Sequence, residues 1–424
     1  CSWILDQPRT IPGRSVDRFE GDPDWGGTRW WIVELIRVGF RHETLRIPIT
    51  IQGVVWRLLE VLTMDPDPDM DDEEEDMGHP SQSMHRAINS VRGRAIEGLM
   101  FCPEWIKAQT GDLGPARLPS KARGLLDMHL NIDTDPSLAI RSLYGRWFPW
   151  FLVFDRDWAG TVINKIFTDV DHTYWLVAWD GFISFNNAYD ELFEPLQLIY
   201  EKAVTQLGRQ DDETDDTRHL RDERLAGHLM TYYWLGRYPL EETTGLIRQF
   251  FGRASDKIRS EAVEFIGRSL DRTAGTIEPV ILDRLQRLWA WRFEQAIQNP
   301  AMHQAELKAF GWCFGSSKFD ARWAIDNLLG VLRLTGNIDP DFQVLERLQG
   351  CVSQFPIEAL ECVKLLIEGQ TSYIELSSWE EDLRGILTQT REHPTAAVRR
   401  AGNEVIELLG RIGYVGYRDL LSPE

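Results

Sequence analysis

The chain has 424 residues, 43% of them hydrophobic, including 17 tryptophans and 19 phenylalanines; that is enough for two or three sizeable cores and excludes a wholly disordered protein. Its 46 lysines and arginines stand against 66 aspartates and glutamates, a formal net charge of −20, and a surface of that sign repels phosphate backbones and anionic lipid. No direct nucleic-acid or membrane partner is expected, and apolar runs such as 147–154, interrupted by Pro149, fall short of the roughly 20 residues of a bilayer span.

The first segment, 1–64, carries apolar residues at helical spacing, with Trp31, Leu35 and Val38 in one group and Val54, Val55, Leu58, Leu59 and Leu62 in another. Pro48 separates them, so two helices are expected. The segment 65–83 follows, and nine of the twelve residues from Asp65 to Asp76 are acidic. Such a composition cannot bury a core and is expected to be a solvated linker or loop. The alternation Asp65-Pro66-Asp67-Pro68-Asp69 imitates a calcium loop, but Met70 stands where an EF-hand needs glycine.

An aromatic-rich helical region is expected over 84–208. Within it Trp175, Trp179, Phe182 and Tyr189 form one stripe of a long helix beginning near Asp171, and a further helix is expected over 192–207. The stretch 209–223 is acidic and almost devoid of aliphatic residues, the composition of a hinge. From 224 to 424 helical segments alternate with short turns, at about 224–235, 241–252, 256–269, 278–296, 302–315, 319–333, 340–354, 356–368, 378–391 and 395–410. No strand pattern interrupts them.

Three distant stretches share a pattern of β-branched residue, arginine, a small residue four positions after the first, and a large aliphatic four beyond that. They are Val91-Arg92 to Ala95 and Leu99, Ile258-Arg259 to Ala262 and Ile266, and Val398-Arg399 to Gly402 and Ile406. On a helix these positions share one face, so the small residue admits a neighbouring helix and the arginine reaches the adjoining unit. Ile140-Arg141 looks like a drifted copy with Tyr144 in the small position. The recurrence predicts an all-α fold, an irregular HEAT/TPR-like helical-repeat array or α-solenoid, which makes binding surface more often than catalytic sites.

Site chemistry is sparse. The nine histidines show no zinc spacing, and there is no phosphate loop, dinucleotide fingerprint or nucleophile elbow; Gly315-Ser316-Ser317-Lys318 lacks the first glycine at the proper distance. No catalytic residue, cofactor or metal is expected. Five scattered cysteines, Cys1, Cys102, Cys313, Cys351 and Cys362, suit a reducing compartment, so the cytoplasm is the expected location. No charged leader and apolar core follow Cys1, so no signal peptide is expected, and the chain is expected to be part of a longer protein. Asp180, Asn186 and Asn187 lie off the aromatic stripe and are candidates for contacting a protein partner.

The run Met84-His85-Arg86-Ala87-Ile88-Asn89-Ser90-Val91-Arg92-Gly93-Arg94-Ala95-Ile96-Glu97 resembles the Asn-Ser-Val/Thr-Arg-Gly-x-Ala segment of the C-terminal helical region of large bacterial antiviral STAND NTPases, the Avs proteins. Ile140-Arg141-Ser142-Leu143-Tyr144-Gly145-Arg146-Trp147-Phe148-Pro149, Asp155-x-x-Trp158, Ile166-Phe167 and Ala178-Trp179-Asp180-Gly181-Phe182-Ile183-x-Phe185-Asn186 resemble further landmarks of that region. The likeness covers roughly residues 28–207. It implies a sensor that grips a phage protein, the large terminase subunit or the portal, and thereby licenses oligomerisation and an effector. The effector domain and ATPase would lie upstream, and this segment would catalyse nothing. The acidic balance favours a partner with a basic, DNA-handling face. Two rival readings stand beside this one. A generic helical scaffold for protein partners lacks an upstream ATPase; an all-α carbohydrate enzyme needs a deep aromatic pocket with two carboxylates about 5 to 10 Å apart.

Overall fold

The computed structural model describes residues 1–7, 25–69, 80–208, 215–242, 244–369 and 378–421, and among them every regular element is helical. The all-α expectation therefore holds. The chain divides into two compact units, Cys1–Ile199 with Gln210–Arg224, and Tyr200–Arg209 with Leu225–Glu424.

In the first unit a single turn, Ser2–Leu5, is followed by α1 (Gly26–Arg41), α2 (Gln52–Thr63), α3 (Pro80–Asn89), α4 (Val91–Leu99), α5 (Cys102–Thr110), α6 (Ser120–Leu130), α7 (Leu138–Phe154), α8 (Arg156–Ile166) and α9 (His172–Phe185). Serine or aspartate opens several of these helices, as the free amides of a first turn require. Ser90 accepts from the amide of Gly93, Ser137 from Ile140, Asp155 from Trp158 and Asp171 from Thr173.

The two helices expected in 1–64 form, but α1 buries the opposite face from the one its aliphatic spacing indicates. Trp31, Leu35 and Val38 are exposed, while Arg29, Ile32, Val33, Ile36, Arg37 and Phe40 turn inward. Two arginines can occupy that face because distant carboxylates meet them: Asp65 lies 2.9 Å from Arg29 and Glu97 lies 2.7 Å from Arg37.

The same pairing corrects the reading of Asp65 to Pro68 as a solvated loop. Asp65 is buried, Asp67 accepts the amide of Val91 at 2.8 Å, and the Pro68 carbonyl accepts from Arg92 at 2.7 Å. This short segment clamps the start of α4; 70–79 lie outside the described residues, and helix α3 already begins at Pro80. Asp67→Ala removes one cap from α4 and is expected to lower stability by about 1 kcal/mol, read as a shifted urea midpoint with unchanged slope.

Helices α7 and α9 form the tightest crossing of the unit. A Cβ at Gly145 would overlap the carbonyl oxygen of Ala178, and one at Gly181 the carbonyl oxygen of Ser142. Around this crossing Phe148, Phe182, Trp175 and Trp179 are buried. Helix α9 ends at Phe185, so Tyr189 lies beyond it and is half exposed, outside the stripe expected for it.

Helices α10 (Phe193–Gln206) and α11 (Asp215–Trp234) each contain a boundary between the two units. Residues 209–214 of the expected hinge lie outside the described residues, whereas 215–223 are the first turns of α11. Arginine and glutamate here are good helix formers, and aspartate is favoured in a helix's first turn. They extend a helix anchored further on by buried Leu225, Leu229, Tyr232 and Tyr233.

The second unit continues with α12 (Leu246–Arg253), α13 (Asp256–Arg272), α14 (Pro279–Gln298), α15 (Gln304–Lys308), α16 (Phe310–Gly315), α17 (Ala321–Thr335), α18 (Asp341–Cys351), α19 (Pro356–Gly369), α20 (Glu380–Arg391) and α21 (Ala396–Arg411). Packing partners follow a regular succession. Helix α13 contacts α15 and α16; from there α16 packs on α18 and α18 on α20, while α15 packs on α17, α17 on α19 and α19 on α21.

Candidate functional site

Three segments that carry the family resemblance fall on α4, α7 and α9 and meet in space. Glu97 of α4 is buried and lies 2.7 Å from Arg37 of α1, 3.3 Å from Arg146 of α7 and 3.7 Å from Arg94 of its own helix. Glu34 of α1 adds a second carboxylate, 2.6 Å from Arg37 and 3.6 Å from Arg94. Asn186, which caps α9, donates to the backbone carbonyl of Arg146 at 3.0 Å and fixes α9 against α7.

Aromatic rings floor this cluster. Arg94 sits over Trp30 at 5.2 Å, Arg41 over Phe101 at 4.6 Å and Arg146 over Phe185 at 4.8 Å. Phe101 in turn meets Trp147 edge-on. A guanidinium laid flat on a ring keeps its N–H edges free to point away from it. Burial pushes Arg37 below its ordinary pKa, and Glu97 opposes that shift. Among the described residues Arg41 meets no carboxylate, and Trp147 Nε1 is buried without a hydrogen-bond partner. Four guanidinium groups thus face two carboxylates, a local reversal of sign in a chain of net charge −20.

The three candidates for partner contact are placed differently. Asp180 is buried, Asn186 is half-buried and engaged as described, and Asn187 is exposed, its amide 3.5 Å from the Tyr189 hydroxyl. Burial keeps Asp180 from touching a partner directly. The cluster residues Arg37, Arg41, Glu34 and Trp30 carried no motif; the one available signal was an arginine pair, Arg29 and Arg37, on an otherwise aliphatic helix face.

The motif arginines each grasp nearby backbone. Arg92 donates to Pro68 O; Arg259 donates to Ala254 O at 2.7 Å and Met302 O at 2.5 Å; Arg399 donates to His393 O at 2.8 Å and Pro394 O at 2.9 Å. Arg141 does likewise with Lys165 O and Leu130 O. The small residues beside them, Ala95, Ala262 and Gly402, are buried. Arg259 also belongs to a buried ionic cluster: Glu306 lies 2.9 Å from Arg259, 2.6 Å from Arg292 and 2.8 Å from His303.

A cleft of about 550 Å³ in the second unit is lined by Asp271, Ser317, Gln343, Glu346 and Arg347, with no aromatic side chain in its wall. Lys318, which follows the lining residue Ser317 in sequence, donates to the carbonyls of Thr273 and Gly275, each at 2.9 Å. Burial raises the thiols of Cys102 and Cys313, the latter to about 12, so neither is a thiolate at neutral pH. Among the described residues no three histidine, cysteine or carboxylate side chains group to hold a metal, and no helix is long and apolar enough to cross a membrane. Comparison with protein-family models, curated proteins and solved structures finds no match to this chain.

Proposed function

We propose that the chain is the recognition region of an antiviral STAND-type NTPase. On this reading it binds a phage protein such as the large terminase subunit or the portal in the cytoplasm, and the ATPase and effector act from elsewhere in a longer chain. The observation that carries the reading is that the resembling segments are joined in space, α4 to α7 through Glu97 and Arg146, and α9 to α7 through Asn186 and Phe185 at the same Arg146. Segments separated in sequence but adjacent around one charged, aromatic face form a unit of surface, and arginine and tryptophan are the residues that dominate binding at protein interfaces.

The succession of contacts in the second unit supports the finer architectural reading, an irregular HEAT-like array. Stacked helix pairs offer a long surface on which many modest contacts sum to specificity. Co-expression with terminase and portal, each separately and with an affinity tag on the phage protein, tests the proposal. Retention of the chain by at least one of them is expected; release by both would overturn it.

A further inference from the structure

Exposed Arg41 and half-buried Arg94 and Arg146, with Arg37 buried behind them, carry more positive charge than Glu34 and Glu97 neutralise, and the rings beneath them add apolar area that extends to half-exposed Trp150 and Phe185. This face selects its ligand by two features at once. Flat guanidinium edges are matched by planar carboxylates, which accept paired N–H donors. The indole and phenyl surface is matched by an apolar side chain, which a bare phosphate chain does not supply. Long-range repulsion from a chain of net charge −20 also penalises an extended polyanion far more than a short acidic stretch on a neutral or basic protein.

We infer that the arginine and aromatic face around Glu97 docks an acidic protein segment, two or three carboxylates flanking an apolar or aromatic side chain. The inference rests on the reading of the chain as a protein-recognition region and names the chemistry that region takes. Arg41 and Arg146 form the accessible donors, Phe101, Trp147 and Phe185 the apolar floor, and buried Glu97 holds the arginines apart in fixed positions.

The test uses the whole chain and three labelled probes, read by fluorescence anisotropy. The probes are an acidic peptide with a central tryptophan, the same peptide with amides in place of its carboxylates, and a single-stranded oligonucleotide. The acidic peptide is expected to bind at low salt, to weaken several-fold toward physiological ionic strength, and to outcompete both other probes. Arg41→Glu changes an exposed side chain whose contact is one ring, so the fold is retained; it is expected to weaken the acidic peptide by about tenfold or more. Arg146→Gln, checked by its melting curve, is expected to weaken it as well.

Equal affinity for the acidic and amide peptides, no peptide binding at all, or tighter binding of the oligonucleotide would each overturn the inference. Its failure is separable from that of the proposed function. Capture by terminase or portal that Arg41→Glu leaves intact, with no peptide bound, sinks the acidic-segment inference alone. Selective peptide binding without capture by either phage protein sinks the proposed function alone.

Discussion

Glu306→Ala is expected to cost the second unit about 3–5 kcal/mol, a large part of the roughly 5–15 kcal/mol that holds a domain together. The carboxylate stands between Arg259 and Arg292, with the His303 Nδ1 2.8 Å away, and all but His303 of these side chains are buried. Removing it leaves Arg292 without its carboxylate partner and Arg259 with only Asp256, 3.5 Å away and itself engaged by two backbone amides. Asp256 adds to the same junction by accepting the amides of Ala305 at 2.8 Å and Glu306 at 3.1 Å, so the damage spreads to the contact of α13 with α15. Urea unfolding followed by tryptophan fluorescence measures the loss. A midpoint within error of the unsubstituted protein would show that the cluster contributes nothing net.

Glu306 also sets a pH dependence. Burial pushes its carboxyl upward, but hydrogen bonds from Arg292, reinforced by its charge and by His303 and Arg259, outweigh that and hold the pKa below the ordinary 4.5. A carboxylate with a depressed folded-state pKa stabilises the fold above its unfolded value and loses that contribution as pH falls through the folded one. The advantage of the unsubstituted protein over Glu306→Gln is therefore expected to be full near neutrality and to shrink below about pH 4.5. A difference that stays constant as pH falls from neutrality to well below 4.5 would contradict the assignment.

Gly145→Ala and Gly181→Ala are each expected to destabilise the first unit by about 3 kcal/mol. Alanine is ordinarily better than glycine inside a helix by about 1 kcal/mol, so a loss here isolates the cost of pushing α7 from α9. Each new methyl would overlap a backbone carbonyl, of Ala178 or of Ser142, and neither can rotate out of the way. Gly160→Ala in α8 is the control, since a Cβ there meets nothing within 4 Å; it is expected to be neutral or mildly stabilising. Because Gly145 and Gly181 serve one crossing, the double variant is expected to lose less than the sum of the two.

Helix existence was legible from apolar period and turn chemistry, and the order of segments through α21 follows it closely. What the period could not supply was the partner of each charged group. In α1 the aliphatic count favours the face of Trp31, Leu35 and Val38, yet the buried face holds Arg29 and Arg37 because Asp65 and Glu97 arrive from distant elements. The segment from Asp65 to Pro68 reads as solvated for the same reason: its own sequence does not contain the arginine and the helix start that its acids meet.

The candidate site was half legible. Arg94, Glu97, Arg146 and Trp147 lie within stretches singled out by resemblance, whereas Glu34 and Arg41 enter only through the packing of α1 on α4 and α5. Asp180 shows the converse error, since a polar residue off an aromatic stripe need not face water when helices pack on two sides.

On the proposed reading this chain works by holding another protein. Light scattering on a sizing column, with purified chain mixed with purified terminase large subunit and, separately, with purified portal, tests it most directly. A species whose mass is that of the chain plus its partner is expected in one of the two mixtures. Elution of every component at its own mass in both mixtures would contradict it.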